Sequence, residues 1–370
     1  MTARLPLILC LGGPRSEKVR RPLVAVGRPI LFYRPTRSLR GLCATAGRLL
    51  GRRPAVVLVD GSGYQAFVGW LLGRILRSCF IVRLRGDIWR ESRETLHRLR
   101  GIRRLGKRLK FRLGCYAITR ADGIISVSRY LNGVVERSCP QASDRLTWVP
   151  TPIDARYVDE GGDGGDGRPE ASWWADQIGI DASKRVVLTV MTFDFLEKAM
   201  AVDRYLPRVC EFLRRHPDAV YVVAGDGVHL RQVRQQIDAA GMQDQIKTLG
   251  FVDNVQALYR RAVFLLYFSF LDALPSVVQE AKACALPVIV NDAAGLPELV
   301  THGWDGYIVS SDDAPELGGY MDALYADPDL RRRLGANGRQ DALDRFQEVT
   351  IGKRLQSAID AMVDGRRRRA

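Results

Sequence analysis

Residues 262–290 read AVFLLYFSFLDALPSVVQEAKACALPVIV, and the fold follows from this run. Val263 to Tyr267 is one apolar stretch and Pro287 to Val290 is another. Between them the Pro275-Ser276 step resembles a helix start, where proline is tolerated in the first turn. Short apolar strands alternating with helical segments predict a parallel sheet covered by helices, its strands buried on both faces.

The pattern extends outward in both directions. Upstream lie Val186–Val190, Ala219–Ala224 and Ile246–Leu249. Further back come Leu5–Leu11, Ile30–Tyr33, Ala55–Val59, Phe80–Leu84 and Gly123–Val127, with Trp148-Val149-Pro150 closing the series. After Asp313 the strand signals stop, and helical periodicity continues through Met321–Tyr325, Leu330–Leu334 and Ile351–Met362 to the run Arg366–Arg369. The expected class is α/β, with an amino-terminal Rossmann-like domain over 1–160 and a second Rossmann-like domain over 169–345. A Gly/Asp-rich linker or insertion at 161–168 separates them, and a closing helix with a basic tail fills 346–370. In such folds ligands sit at the carboxyl ends of the strands, here in a cleft between the facing domains.

Composition narrows the class further. The 370 residues are 46% hydrophobic and 26% charged, which excludes collagen, coiled coil and wholesale disorder. The net charge of +15 is unevenly spread: residues 1–150 carry +22 and residues 151–370 carry −7. A half so basic faces something anionic, whether membrane surface, nucleic acid or phosphorylated substrate. Seven scattered cysteines without a C-x-x-C pair read as buried thiols in a reducing cytosol. Met1 to Cys10 reads as a first buried strand and not as a signal peptide. Tyr64 to Val82 is interrupted by Arg74 and Arg77, which argues against a bilayer-spanning helix and for a soluble or peripheral protein.

The densest chemistry lies between residues 250 and 300. Asp272 falls on the loop before the helix that starts at Ser276, and Glu280 falls inside that helix. A phosphate suits the free amides at the helix start, aided by the dipole. Two acids flanking it could bind hydroxyls on either side, a layout that suits a nucleotide sugar.

Residues Tyr259 to Val309 resemble the donor site of glycosyltransferase family 4, a retaining family of GT-B fold. The matching words are Asp272–Glu280-Ala281, Leu286-Pro287-Val288-Ile289, Gly295-Leu296-Pro297-Glu298-Leu299-Val300 and Gly306-Tyr307-Ile308-Val309. Upstream, Ala224-Gly225-Asp226-Gly227, Gly250-Phe251-Val252 and Glu197-Lys198 echo the family's glycine turn, nucleobase segment and diphosphate-contacting lysine. Ala121–Ser128 looks like an acceptor-domain strand, and Val149–Asp154 like the entry to the interdomain linker. The resemblance implies donor-binding roles for Lys198, Gly225, Gly250, Phe251, Val252, Leu274, Pro275, Ser276, Val277 and Glu280, with the Gly12-Gly13 loop approaching the phosphate. It implies catalytic roles for Asp272 and Glu280, and for Arg85 and Asp87 at the place of the family's His-Gly pair. It also implies retention of anomeric configuration, with no metal and no cofactor beyond the nucleotide sugar, GDP- or UDP-linked.

The chain departs from the family in several places. Asp272 stands where glutamate is usual, Ala273 follows in place of glycine, and Thr192-Phe193-Asp194 occupies the region of a usual arginine. Arg85 cannot shuttle protons because its pKa stays above ~12, but it can clamp a phosphate or orient Asp87.

From Leu96 to Leu113 run Arg98, Arg100, Arg103, Arg104, Lys107, Arg108, Lys110 and Arg112. Leu96, Leu99, Ile102, Leu105 and Leu109 recur three or four apart, predicting one apolar helical face. Such a helix fits an anionic membrane surface through Arg98–Arg112. A single aromatic, Phe111, stands among these cations, short of the stacking platforms that nucleic acid needs, so nucleic acid is not the expected partner.

The function expected is a hexosyltransferase on the inner face of the cell membrane, moving a hexose to a lipid-linked or surface-glycan acceptor. Two alternatives stand beside it: a catalytically inactive GT-B protein that binds membrane or RNA through its basic half, and a nucleotide-sugar epimerase of the same fold.

Overall fold

The computed structural model describes residues 6–13, 16–33, 52, 54–158, 179–181 and 183–369. The Gly/Asp-rich stretch 161–168 lies outside the described residues. The chain divides into two units, one made of residues 1–152 with 346–370, the other of residues 153–345.

The first unit holds β1 (Ile8–Leu11), β2 (Ile30–Tyr33), β3 (Val56–Asp60), β4 (Cys79–Leu84), β5 (Gly123–Ser126) and β6 (Leu146–Trp148). All adjacent pairs are parallel, in the order β2-β1-β3-β4-β5-β6. The second holds β7 (Arg185–Val190), β8 (Ala219–Ala224), β9 (Ile246–Gly250), β10 (Ala262–Tyr267), β11 (Val288–Asn291) and β12 (Gly306–Val309). These are also parallel, in the order β12-β11-β10-β7-β8-β9. Both are Rossmann-like layers, as the alternating pattern predicts, and each reverses strand order beside its first strand. Loops diverge at that reversal and leave a crevice at the carboxyl edge of the sheet.

Apolar runs bury completely where helices cover both faces. Val56 to Val59 and Phe264 to Leu266 are 0% exposed. The edge strand β12 escapes a reading by hydrophobicity because it has four residues, two of them only half-buried. Its Gly306 allows close pairing, since a Cβ there would lie 2.5 Å from the Val288 carbonyl oxygen.

The carboxyl-terminal helix Glu348–Arg369 belongs to the first unit, and Arg366 to Arg369 continue it. Ile351, Leu355, Ile359 and Met362 enter the core formed by β1, β3 and β4. Buried Arg28 pairs with Asp360, and the Arg354 guanidinium lies 4.4 Å from the Trp148 ring centre. The described cysteines are free thiols.

The basic segment is two helices, Ile88–Arg98 and Gly101–Thr119, and not the single one its periodicity predicts. Leu99 and Arg100 are extended, and Gly101 sits at φ +56°, a left-handed conformation that glycine adopts without cost. Leu96 and Leu99 therefore drop out of the stripe. Ile102, Leu105 and Leu109 remain on the second helix, 89%, 68% and 58% exposed.

The fit of the last helix can be tested. A Cβ at Gly352 would lie 2.2 Å from the Pro22 carbonyl oxygen, which is backbone and cannot swing aside. Gly352→Ala should destabilise the first unit by about 1–3 kcal/mol, read as a lower unfolding midpoint in denaturant.

Candidate active site

In the second unit the loop leaving β10 runs along the carboxyl edge of the sheet, beside β7. Buried Asn291, at the end of β11, anchors it. Its Oδ1 accepts the Ser269 N–H at 2.8 Å, and its Nδ2 donates to the Ser269 carbonyl and to Ser311 Oγ. Ser269 Oγ in turn accepts from the Leu271 and Asp272 amides. The Gly295 amide donates to the Asp272 carbonyl at 3.0 Å. A Cβ on Gly295 would come within 1.6 Å of the Ala273 oxygen, so the Gly295-Leu296-Pro297-Glu298 turn needs glycine to press on this loop.

The two acids each meet a buried tyrosine. Asp272 Oδ2 accepts from the Tyr267 hydroxyl at 2.7 Å and pairs with Lys198 Nζ at 3.1 Å. Glu280 Oε2 accepts from the Tyr259 hydroxyl at 3.2 Å. Burial first, and then the neighbouring carboxylate, pushes both phenols well above the usual tyrosine range. They stay protonated and act as fixed donors. Lys198 is itself buried, on the first turn of the helix Leu196–Arg215.

The helix Ser276–Ala283 starts without a side-chain cap and without an acid in its first turn. Its leading amides have no intrahelical acceptor and present the positive end of the dipole. Leu274, Ser276 and Val277 are half-buried at this start, and Pro275 takes the capping position. Glu280 follows one turn inside.

The neighbouring loops are drawn close by glycine. Gly225 and Gly227 sit at φ 141° and 146°, where a Cβ would strike the backbone of Met191 and Phe193. The Gly225 amide donates to the Gly250 carbonyl at 2.7 Å, and Gly250 takes φ +74°. Phe251, 75% exposed, and half-buried Val252 continue from there. Lys198, the glycine turn, Gly250–Val252 and the 272–280 stretch thus share one edge of the second unit.

The remaining candidates stand on the carboxyl edge of the first unit. Gly12 leaves β1 with no room for a side chain, since a Cβ would lie 1.9 Å from Ser16 Oγ. Nothing lies within 4 Å of a Cβ on Gly13, so packing does not require glycine there. Arg85 Nε lies 3.6 Å from Asp60 Oδ1. The same oxygen accepts from fully buried Arg83 at 2.9 Å, and Arg83 also donates to Thr151 Oγ1. Asp87 caps the helix Ile88–Arg98, its Oδ1 accepting the Arg90 amide at 2.9 Å. The sequence reading missed Tyr259, Tyr267, Asn291, Arg83 and Asp60. A signal existed for the last two, since a charged residue within or closing an apolar strand must find a buried partner.

Residues 174–341 match the family described as glycosyl transferases group 1. Alpha-D-kanosaminyltransferase of Streptomyces kanamyceticus is 22% identical over 298 residues, covering 80% of this chain and 74% of that protein. A GDP-mannose-dependent phosphatidylinositol monomannoside mannosyltransferase of Mycolicibacterium smegmatis is 28% identical over 173 residues. That match covers 44% of this chain and 45% of the relative, so the chain spans about half the length of some curated relatives it matches. The crystal structure of Anabaena HepE in complex with UDP-glucose matches 96% of this chain and 100% of its own at 16% identity, with a TM-score of 0.72. The fold is GT-B.

The raised phenols set a pH signature. A group whose folded pKa lies above its unfolded value contributes stability that is complete below the unfolded pKa and is lost as pH rises toward the folded one. For Tyr259 and Tyr267 the loss begins near pH ~10. Tyr267→Phe should flatten the fall in stability above that pH, measured by denaturant unfolding at stepped pH. An unchanged slope would show that Tyr267 ionises in the folded state as it does in the unfolded one.

Proposed function

We propose that the chain is a retaining hexosyltransferase, moving a hexose from a GDP- or UDP-linked donor to a lipid-linked or surface-glycan acceptor on the cytoplasmic face of a membrane. One observation carries the donor half of this reading: Lys198, Asp272 and the uncapped start at Ser276 converge beside Glu280. Transfer needs the leaving diphosphate stabilised as the glycosidic bond breaks. An ammonium and helix amides do this electrostatically, in positions fixed before the donor arrives. The ammonium has three N–H donors, and Asp272 engages it from one side only. Asp272 and Glu280, steadied by their tyrosines, suit hydroxyls of the sugar and of the ribose. The UDP-glucose bound by HepE and the GDP-mannose named for the mannosyltransferase support a nucleotide-diphosphate donor.

The acceptor half of the proposal rests on the helix Gly101–Thr119. Ile102, Leu105 and Leu109 project from it among Arg103, Arg104, Lys107, Arg108 and Lys110. Three such side chains entering an interface contribute several kcal/mol together, and each nearby cation adds about 1 kcal/mol on an anionic surface. Among the described residues no helix is long and apolar enough to cross a membrane. A lipid-linked acceptor would be presented at such a surface, and the phosphatidylinositol mannoside named for the mycobacterial relative supports that class.

Two measurements test the reading. UDP or GDP should raise the unfolding temperature, and Lys198→Ala and Glu280→Ala should each lower nucleotide-sugar turnover by about 10²–10³-fold. A wild-type protein that no nucleotide diphosphate stabilises ends the donor assignment. Ile102→Ser, Leu105→Ser and Leu109→Ser combined should release the protein from phosphatidylglycerol vesicles while nucleotide binding persists. Undiminished vesicle binding by that triple variant removes the membrane from the proposal.

A further inference from the structure

The amino edge of the first unit's sheet, opposite the edge that carries Arg85 and Asp87, contains a cavity of about 570 Å³. It opens where the helices Tyr64–Ile75 and Gly101–Thr119 end and where β4 and β5 begin. Four arginines line it, Arg74, Arg120, Arg145 and Arg366, against one acid, Asp122. That acid is already engaged. Its Oδ2 accepts the Phe80 amide at 2.8 Å and lies 3.1 Å from Arg366, which also donates to the Ser78 carbonyl.

Two of the arginines have a structural duty. Arg145 donates to the Thr119 and Ala121 carbonyls, compensating the partial negative charge where the helix ends. Arg366 ties the last helix to the start of β4. Arg74 and Arg120 have no such duty: neither guanidinium forms an ion pair or hydrogen bond among the described residues, and both side chains are exposed. Arg120 lies over the Tyr116 ring at 4.4 Å, and Trp70 meets that ring edge-on at 5.2 Å. The cavity thus has a cationic wall with two guanidiniums unspent and an aromatic wall beside it.

Guanidinium forks bind phosphate oxygens in pairs, and aromatic faces accept a ring or an acyl segment. We propose that this cavity is a second anion site, taking a phosphorylated ligand whose phosphate engages Arg74 and Arg120 and whose apolar part rests on Trp70 and Tyr116. The volume falls within the range of small-ligand sites. A soluble phosphorylated metabolite and an anionic lipid headgroup share this chemistry. The site is independent of the donor assignment, since every lining residue belongs to the first unit.

The test uses full-length protein in a Lys198→Ala background, which weakens diphosphate binding in the second unit. Inorganic pyrophosphate is titrated by calorimetry and by tryptophan fluorescence, and phosphatidylglycerol vesicles are used in a pelleting assay. Arg74→Ala with Arg120→Ala should weaken binding of the probe about a hundredfold, while Arg214→Ala with Arg333→Ala, matched in charge and placed on the second unit, should not. Trp70→Phe should remove the fluorescence response and leave the calorimetric one. Loss confined to pyrophosphate identifies a soluble ligand, and loss confined to vesicles identifies a headgroup. Equal losses in the two arginine pairs would reduce the effect to general charge and overturn the site, as would no binding of either probe. Both pairs are exposed, and unchanged unfolding midpoints confirm that the variants are folded.

Discussion

A single buried ammonium fixes the helix on which the candidate active site is built. Lys282, fully buried within Ser276–Ala283, donates to Asp305 Oδ2 at 2.7 Å, to Asp341 Oδ2 at 2.6 Å and to the Leu299 carbonyl. All three of its protons are used. Asp341 is shared with Arg345, which bonds the Glu298 carbonyl, and Asp305 accepts the Thr301 amide. Four segments of the second unit meet at this point. Such a cluster is weak evidence for stability, because well-packed apolar side chains serve as well once desolvation is counted. What it sets is rotation. Three bonds from one nitrogen admit one orientation of a short helix, and that orientation decides where Ser276 and Glu280 point.

Around this fixed helix the acids are held by neutral donors. A carboxylate in a site proposed for a diphosphate must keep its place against repulsion, and a protonated phenol does this without adding charge. Tyr267 and Tyr259 lie too deep to ionise near neutral pH. Lys198 adds a cation, close enough to Asp272 to be oriented before any ligand enters. The first unit solves a related problem with full charges, burying Arg83 against Asp60 and letting Arg85 approach from a more exposed position.

What could be read from the sequence was what repeats locally. Apolar runs bounded by turns marked eleven of the twelve strands among the described residues within a residue or three at each end, because a strand buried on both faces leaves no choice of composition. Asp272, Pro275, Ser276 and Glu280 were visible because loop, helix start and first turns are contiguous. Their partners were not. Tyr259 and Tyr267 looked like ordinary core aromatics, and only the tertiary fold aims their hydroxyls at the acids. The break at Gly101 was masked by an apolar spacing that continues through it. The arginine-lined cavity draws on helix ends, strand starts and Arg366, more than two hundred residues from the rest.

The first unit's core contains Ile351, Leu355, Ile359 and Met362, residues translated only after the whole second unit. The second unit is continuous in sequence and can close on itself while synthesis is still under way. The first cannot. Its sheet must wait on the ribosome with one apolar face only partly covered, by Val19 and Leu23, until residues 348–363 emerge, so the half of the chain made first is the half completed last. During that interval the exposed face of β1, β3 and β4 is the stretch most in need of a chaperone.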